Sequence, residues 1–146
     1  MKLNETKIPL VLGNDGLIRQ IKSFEYLNKH VVLKASKNLS AVKAIGIDSD
    51  GLAEYATAFN DIAFMGFSET AVLKDENIVI LTIDVIENDT WVLNPGCPVF
   101  LANDGDITQD LTSLTNLYKC QEIGIALTGQ KVLVQPKQII KINNNK

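Results

Sequence analysis

The side chains able to do chemistry are few and far apart. His30 is the single imidazole, Arg19 the single guanidinium, and Cys97 and Cys120 the only thiols in 146 residues. A serine or cysteine nucleophile needs a base within hydrogen-bond reach, and His30 is the one imidazole that can serve. It opens an apolar run, Lys29-His30-Val31-Val32, and reads as a structural residue of a strand. Gly66-Phe67-Ser68-Glu69 lacks the second glycine of a nucleophile elbow. Cys97, between Gly96 and Pro98, and Cys120 read as small hydrophobes beside strands. Both are expected to stay reduced in a cytoplasm.

Metal and phosphate chemistry fare no better. Three soft ligands spread along the chain cannot make a four-coordinate zinc site without carboxylates. Asp48, Asp50 and Gly51 faintly match a calcium loop, but Leu52 and Phe59 stand where that loop needs an oxygen ligand and a bidentate glutamate. Asp104 and Asp106 flank Gly105 and read as a hairpin turn. Gly13-Asn14-Asp15-Gly16 has neither the lysine nor the following helix of a phosphate loop. No catalytic residue, metal ligand or cofactor site is therefore assigned, and the chain is read as a non-enzyme.

The elements that carry these residues read as all-β. Hydrophobic residues make up 46% of the chain, enough for one domain with a real core. They are mostly aliphatic and fall in short runs between turn residues. Strands are expected at residues 8–12, 17–21, 30–35, 42–48, 62–67, 98–102, 106–108, 121–128, 131–135 and 138–142. Residues 78–86 form one long run, and a short helix is expected near residues 112–118. This spacing predicts a small β-barrel or sandwich with an extended N-terminal arm or hairpin. The division is residues 1–28 as arm, 29–142 as β domain and 143–146 as polar tail. A net charge of −3 with a single arginine argues against nucleic acid. No run nears the roughly 18 apolar residues of a membrane span, and no secretory leader is evident. Synthesis in a cytoplasm is the expectation.

Two stretches carry more than composition. Ile8-Pro9-Leu10-Val11-Leu12-Gly13-Asn14-Asp15-Gly16-Leu17-Ile18 resembles the N-terminal peptide of many bacteriophage structural proteins. Pro95-Gly96-Cys97-Pro98-Val99-Phe100-Leu101, then Gly105-Asp106-Ile107-Thr108, then Gln121-Glu122-Ile123-Gly124-Ile125-Ala126-Leu127-Thr128 resemble the closing segment of phage head-decoration and head-fibre proteins. Lys37-Asn38-Leu39-Ser40-Ala41-Val42-Lys43-Ala44 and the turn at Asp50-Gly51 fit the opening of that domain.

The resemblance implies a non-enzymatic virion subunit, made in the bacterial host cytoplasm, that binds the major capsid protein or another virion protein and trimerises. A tail or baseplate fibre attachment protein is the alternative. A trimeric β-fold nucleotide hydrolase fits less well, because it needs more than one arginine around a phosphate. Ile8, Pro9, Leu10, Val11 and Leu12 are the expected partner-binding strand, suited to β-augmentation. Ile78, Val79, Ile80 and Leu81 are apolar on both faces, and are the expected oligomer interface. A chain truncated to begin at Ser23 is expected to keep its β-type circular dichroism and to stop co-sedimenting with virions. An unfolded product would place residues 1–22 in the core instead.

Overall fold

A computed structural model describes residues 30–142. The expected strands at residues 8–12 and 17–21 and the polar tail lie outside the described residues. Within them the aliphatic runs form twelve short strands and no α-helix. The first half carries β1 (His30–Lys34), β2 (Ala44–Ile47), β3 (Ala53–Tyr55), β4 (Gly66–Ser68), β5 (Asn77–Leu81) and β6 (Asp84–Glu87). The second half carries β7 (Pro98–Leu101), β8 (Ile107–Thr108), β9 (Lys119–Cys120), β10 (Glu122–Thr128), β11 (Lys131–Val134) and β12 (Ile140–Lys141).

These make two five-stranded sheets, ordered β1-β5-β4-β2-β3 and β6-β11-β10-β7-β8, and a β9–β12 ribbon. The first sheet curls toward closure. Ala35, just past β1, bridges Ala53 at the start of β3, and the Ser36 N–H donates to the Ala53 carbonyl at 3.0 Å. The two edges of that sheet thereby meet at one end.

Alternation along the strands splits the core in two. Ile45, Ala53, Ile78 and Ile80 bury into one cluster with Ala35 and Leu39. Ala44 and Phe67, from the same sheet, bury into a second cluster with Val99, Leu101, Ile123, Val132 and Val134 of the other sheet. Leu81 packs against that second cluster as well. The first sheet is thus a middle layer with an apolar filling on each side, an all-β sandwich with one leaf nearly closed. Gly66 permits the tight crossing of β4 and β5, since a Cβ there would fall 2.2 Å from the Leu81 carbonyl oxygen.

Several elements depart from the sequence reading. The run at 78–86 is two strands in different sheets, because Asp84 takes a φ of 96° and the chain changes sheets there. Only the end of the 62–67 segment is strand, and β3 and β9 are strands that short polar-flanked segments did not announce. The helix expected at 112–118 is a single 3-10 turn, Leu111–Ser113, whose N-cap Asp110 accepts from the Thr112 N–H at 3.0 Å. It ends at Leu114 in extended backbone, and Asn116 has a φ of 59°. Among the described residues no helix is long and apolar enough to cross a membrane.

Phe67 joins the two leaves. Its ring meets Phe64 and Trp91 edge-on, at centroid distances of 5.3 and 5.8 Å. Phe67→Ala is expected to cost about 3–5 kcal/mol in urea unfolding. Val92→Ala, at a side chain that is 95% exposed, is expected to change stability by about 0.5 kcal/mol or less.

Candidate functional site

The structure disperses the reactive groups. Ser68 Oγ donates to the Ser40 carbonyl at 2.7 Å and accepts from the Lys43 N–H at 3.0 Å, so this hydroxyl serves the backbone. Asp48 Oδ1 accepts from the N–H groups of Asp50 and Leu52, each at 2.9 Å, which makes a turn out of the residues that resemble a calcium loop. Asp106 is ion-paired with Lys43. Asp104 and Gly105, with φ of 53° and 77°, form the left-handed tip of the β7–β8 hairpin, as Asn103-Asp104-Gly105 predicts. Among the described residues no three His, Cys, Asp or Glu side chains are grouped to hold a metal. Cys97 is exposed, Cys120 is half-buried, and both are free thiols. Burial, assisted by Glu122, raises the Cys120 thiol above its ordinary value and keeps it protonated.

The expected interface strand is occupied within its own chain. Ile78 and Ile80 are fully buried, Leu81 packs against the second cluster, and Val79 is half-buried. Two-faced apolarity at this strand is therefore met by the fold's own two layers and does not by itself call for another subunit. A partly exposed apolar row lies across the second sheet. Register pairs Val85 with Leu133, Leu133 with Ile125 and Ile125 with Pro98, so the four share one face. Residues 8–12 lie outside the described residues.

The least expected group is Lys119. It is 1% exposed, and its ammonium donates to the carbonyls of Thr57 at 2.5 Å, Asn60 at 2.7 Å and Ile62 at 2.8 Å. Asn60 Oδ1 lies at 3.4 Å. All three N–H bonds thus staple the 57–62 loop, which has no strand to hold it. Gln121 does a similar service two residues on. Its Oε1 accepts from the Phe64 N–H at 3.2 Å, and its Nε2 donates to the Lys137 carbonyl at 3.0 Å. Neither role was visible in the sequence, because the partners are backbone carbonyls and amides that any residue type supplies.

A cleft of about 430 Å³ is walled by residues 90–94 and 107–110. Trp91, Leu93 and Ile107 give it an apolar floor continuous with the second core cluster. Thr90, Asn94, Thr108, Gln109 and Asp110 give it a polar rim. Gln109 ties the walls together. Its Oε1 accepts from the Asn94 N–H at 2.8 Å, and its Nε2 donates to the carbonyls of Asn94 at 3.1 Å and Cys97 at 3.2 Å. The 88–93 turn is pinned by Trp91 N–H to Asn88 O at 3.1 Å and Leu93 N–H to Gly129 O at 3.0 Å. A second, smaller cleft of about 320 Å³ lies among Ile47, Asp48, Ser49, Asp61 and Ile62. No protein-family model matches the chain, and comparison with curated proteins and with solved structures finds no match.

The Lys119 staple has a measurable worth. Lys119→Met keeps the stem and removes three donors from one buried and two part-buried carbonyls, for an expected loss of about 3 kcal/mol in denaturant unfolding. Burial lowers the Lys119 amine from its ordinary 10.5 to about 8, against an opposing pull from Asp61. Between those values the unfolded chain holds a proton that the folded chain has released, so folding gains stability as pH rises. The stability difference between wild type and Lys119→Met should therefore widen from pH 8 toward pH 10.5. A difference that shrinks over that window contradicts the burial argument.

Proposed function

We propose that this chain is a non-enzymatic structural subunit of a bacteriophage virion, a capsid-decoration or head-fibre protein that docks on the capsid and self-associates as a trimer. The observation that carries this reading is the convergence of the phage-like motifs. The 95–101 stretch enters β7, the 105–108 stretch completes the hairpin to β8, and the 121–128 stretch is β10, paired with β7 on its other side. Three sequence segments that resemble one closing domain thus form adjacent strands of one sheet, as parts of a single structural unit do.

The physical character of the domain supports it too. Its buried polar side chains, Lys119, Gln121, Ser68 and Thr57, hold backbone in place. The apolar row of exposed Val85 and Pro98 with half-buried Leu133 and Ile125 between them offers a face that a second and third copy can cover. Docking on the capsid is assigned to Ile8, Pro9, Leu10, Val11 and Leu12.

The experiment is immunogold labelling of particles from a lysate in which this chain is expressed during phage growth. Label on capsid surfaces is expected. Label on tails would move the protein to a fibre-attachment role, and label confined to soluble protein would overturn the virion reading. Light scattering in high salt with reductant is expected to give three times the chain mass. Association should survive those conditions because aliphatic burial is worth roughly 1.5–3 kcal/mol per large side chain, whereas exposed ion pairs give about 0–1 kcal/mol.

A further inference from the structure

We infer that the cleft between residues 90–94 and 107–110 is a binding site for a neutral saccharide. The inference stands apart from the virion reading and can fail or hold without it. The cleft's volume, about 430 Å³, lies within the range of small-molecule sites, which run roughly 300–1,000 Å³. Its lining contains no lysine, arginine or histidine, and Asp110 is its one charged side chain. Phosphates, nucleic acid and acidic peptides are therefore repelled. The rim is too polar for an acyl chain, and one carboxylate cannot hold a metal ion.

What remains complementary is a ligand with an apolar face and a ring of hydroxyl groups that both donate and accept. Trp91 supplies an indole half-buried on the core, the side chain best suited to pack on the C–H face of a pyranose. Three lining groups make no hydrogen bond to the described residues and face solvent, where a ligand can meet them: the Trp91 indole N–H, the Asn94 side-chain amide and Asp110 Oδ2. The rest of the rim is already committed. Thr90 Oγ1 donates to Asn88 Oδ1 at 2.8 Å, Thr108 Oγ1 accepts from the Asp110 N–H at 3.0 Å, and Gln109 bridges the walls. One donor, one amide and one acceptor thus stand free around an apolar floor, on walls fixed before any ligand arrives. Fixed walls lower the ordering cost of binding. A cationic peptide is the rival occupant. It is disfavoured because one exposed carboxylate offers it only a single weak ion pair.

The chain has one tryptophan, so emission excited selectively at tryptophan, away from the three tyrosines, comes from a side chain that lines this cleft. Full-length protein would be titrated with maltose, cellobiose, lactose and chitobiose, and separately with soluble bacterial cell-wall polysaccharide, to distinguish a free sugar from a polymer end. A saturable emission change is expected with at least one of these, insensitive to salt. Asn94→Ala and Asp110→Ser, which keeps a capping oxygen for the Thr112 N–H, each checked for wild-type circular dichroism, should each weaken it about ten-fold, the effect of losing roughly one hydrogen bond. Saturation-transfer NMR should place the ring C–H protons of the sugar nearest the protein. Three results overturn the inference: no saturable change across the sugars and the polymer, a change left intact in both variants, or saturable, salt-sensitive binding of a trilysine peptide in place of any sugar.

Discussion

A sheet that carries large aliphatic side chains on both faces cannot leave either face wet, and much of this molecule follows from that constraint. Ile45, Ile78 and Ile80 point one way while Ala44, Phe67 and Leu81 point the other. The first group is covered by curling the sheet until Ala35 meets Ala53. The second is covered by a whole additional sheet, β6-β11-β10-β7-β8. Each layer is only a few residues long per strand, so neither core is large, and the stability of one depends on the other through the shared strands. Phe67 sits where that dependence is greatest, with aromatic neighbours from both halves of the chain.

Short strands leave long connections, and the fold holds these with buried and half-buried polar side chains in place of helices. Lys119 gathers three carbonyls of the 57–62 loop, Gln121 links Phe64 to Lys137, Ser68 links Ser40 to Lys43, and Gln109 joins Asn94 and Cys97. Each of these side chains lies on or beside a strand and reaches sideways into irregular backbone. Desolvating an ammonium is costly, and it is tolerated at Lys119 because all three of its N–H bonds find carbonyl oxygens.

Strand existence was largely legible because it is written locally. The Asn103-Asp104-Gly105 tip, the Gly129-Gln130 turn with its flanking β10 and β11, and β1 all appear where their residue types place them. The two-faced run at Ile78–Leu81 was also legible as a pattern, but what covers it was not, since a second layer and a second subunit leave the same trace. β9 was missed because its lysine reads as a solvated charge, and no residue type marks the carbonyls that receive it. The cleft was illegible for a related reason. Trp91 and Asp110 are brought together by β7 and β8 turning back on the 90–94 segment, and the Gln109 side chain that fixes the gap bonds mainly to backbone.

The strand order has a consequence in time. Among the described residues β6 finds its one sheet partner in β11, after β7, β8, β9 and β10 have intervened, with Glu87 opposite Lys131 and Asp84 opposite Val134. A ribosome emitting this chain completes the first sheet once β5 has emerged, yet must hold β6 unpaired until nearly the last strand is made. Such distant pairings slow folding and leave hydrogen-bonding edges open to other nascent chains. The charges of Asp84 and Glu87 bracket Val85 and Ile86 at that edge, where like-charged copies repel one another. Charges at the ends of a waiting strand are one means by which sequences blunt an unpaired edge.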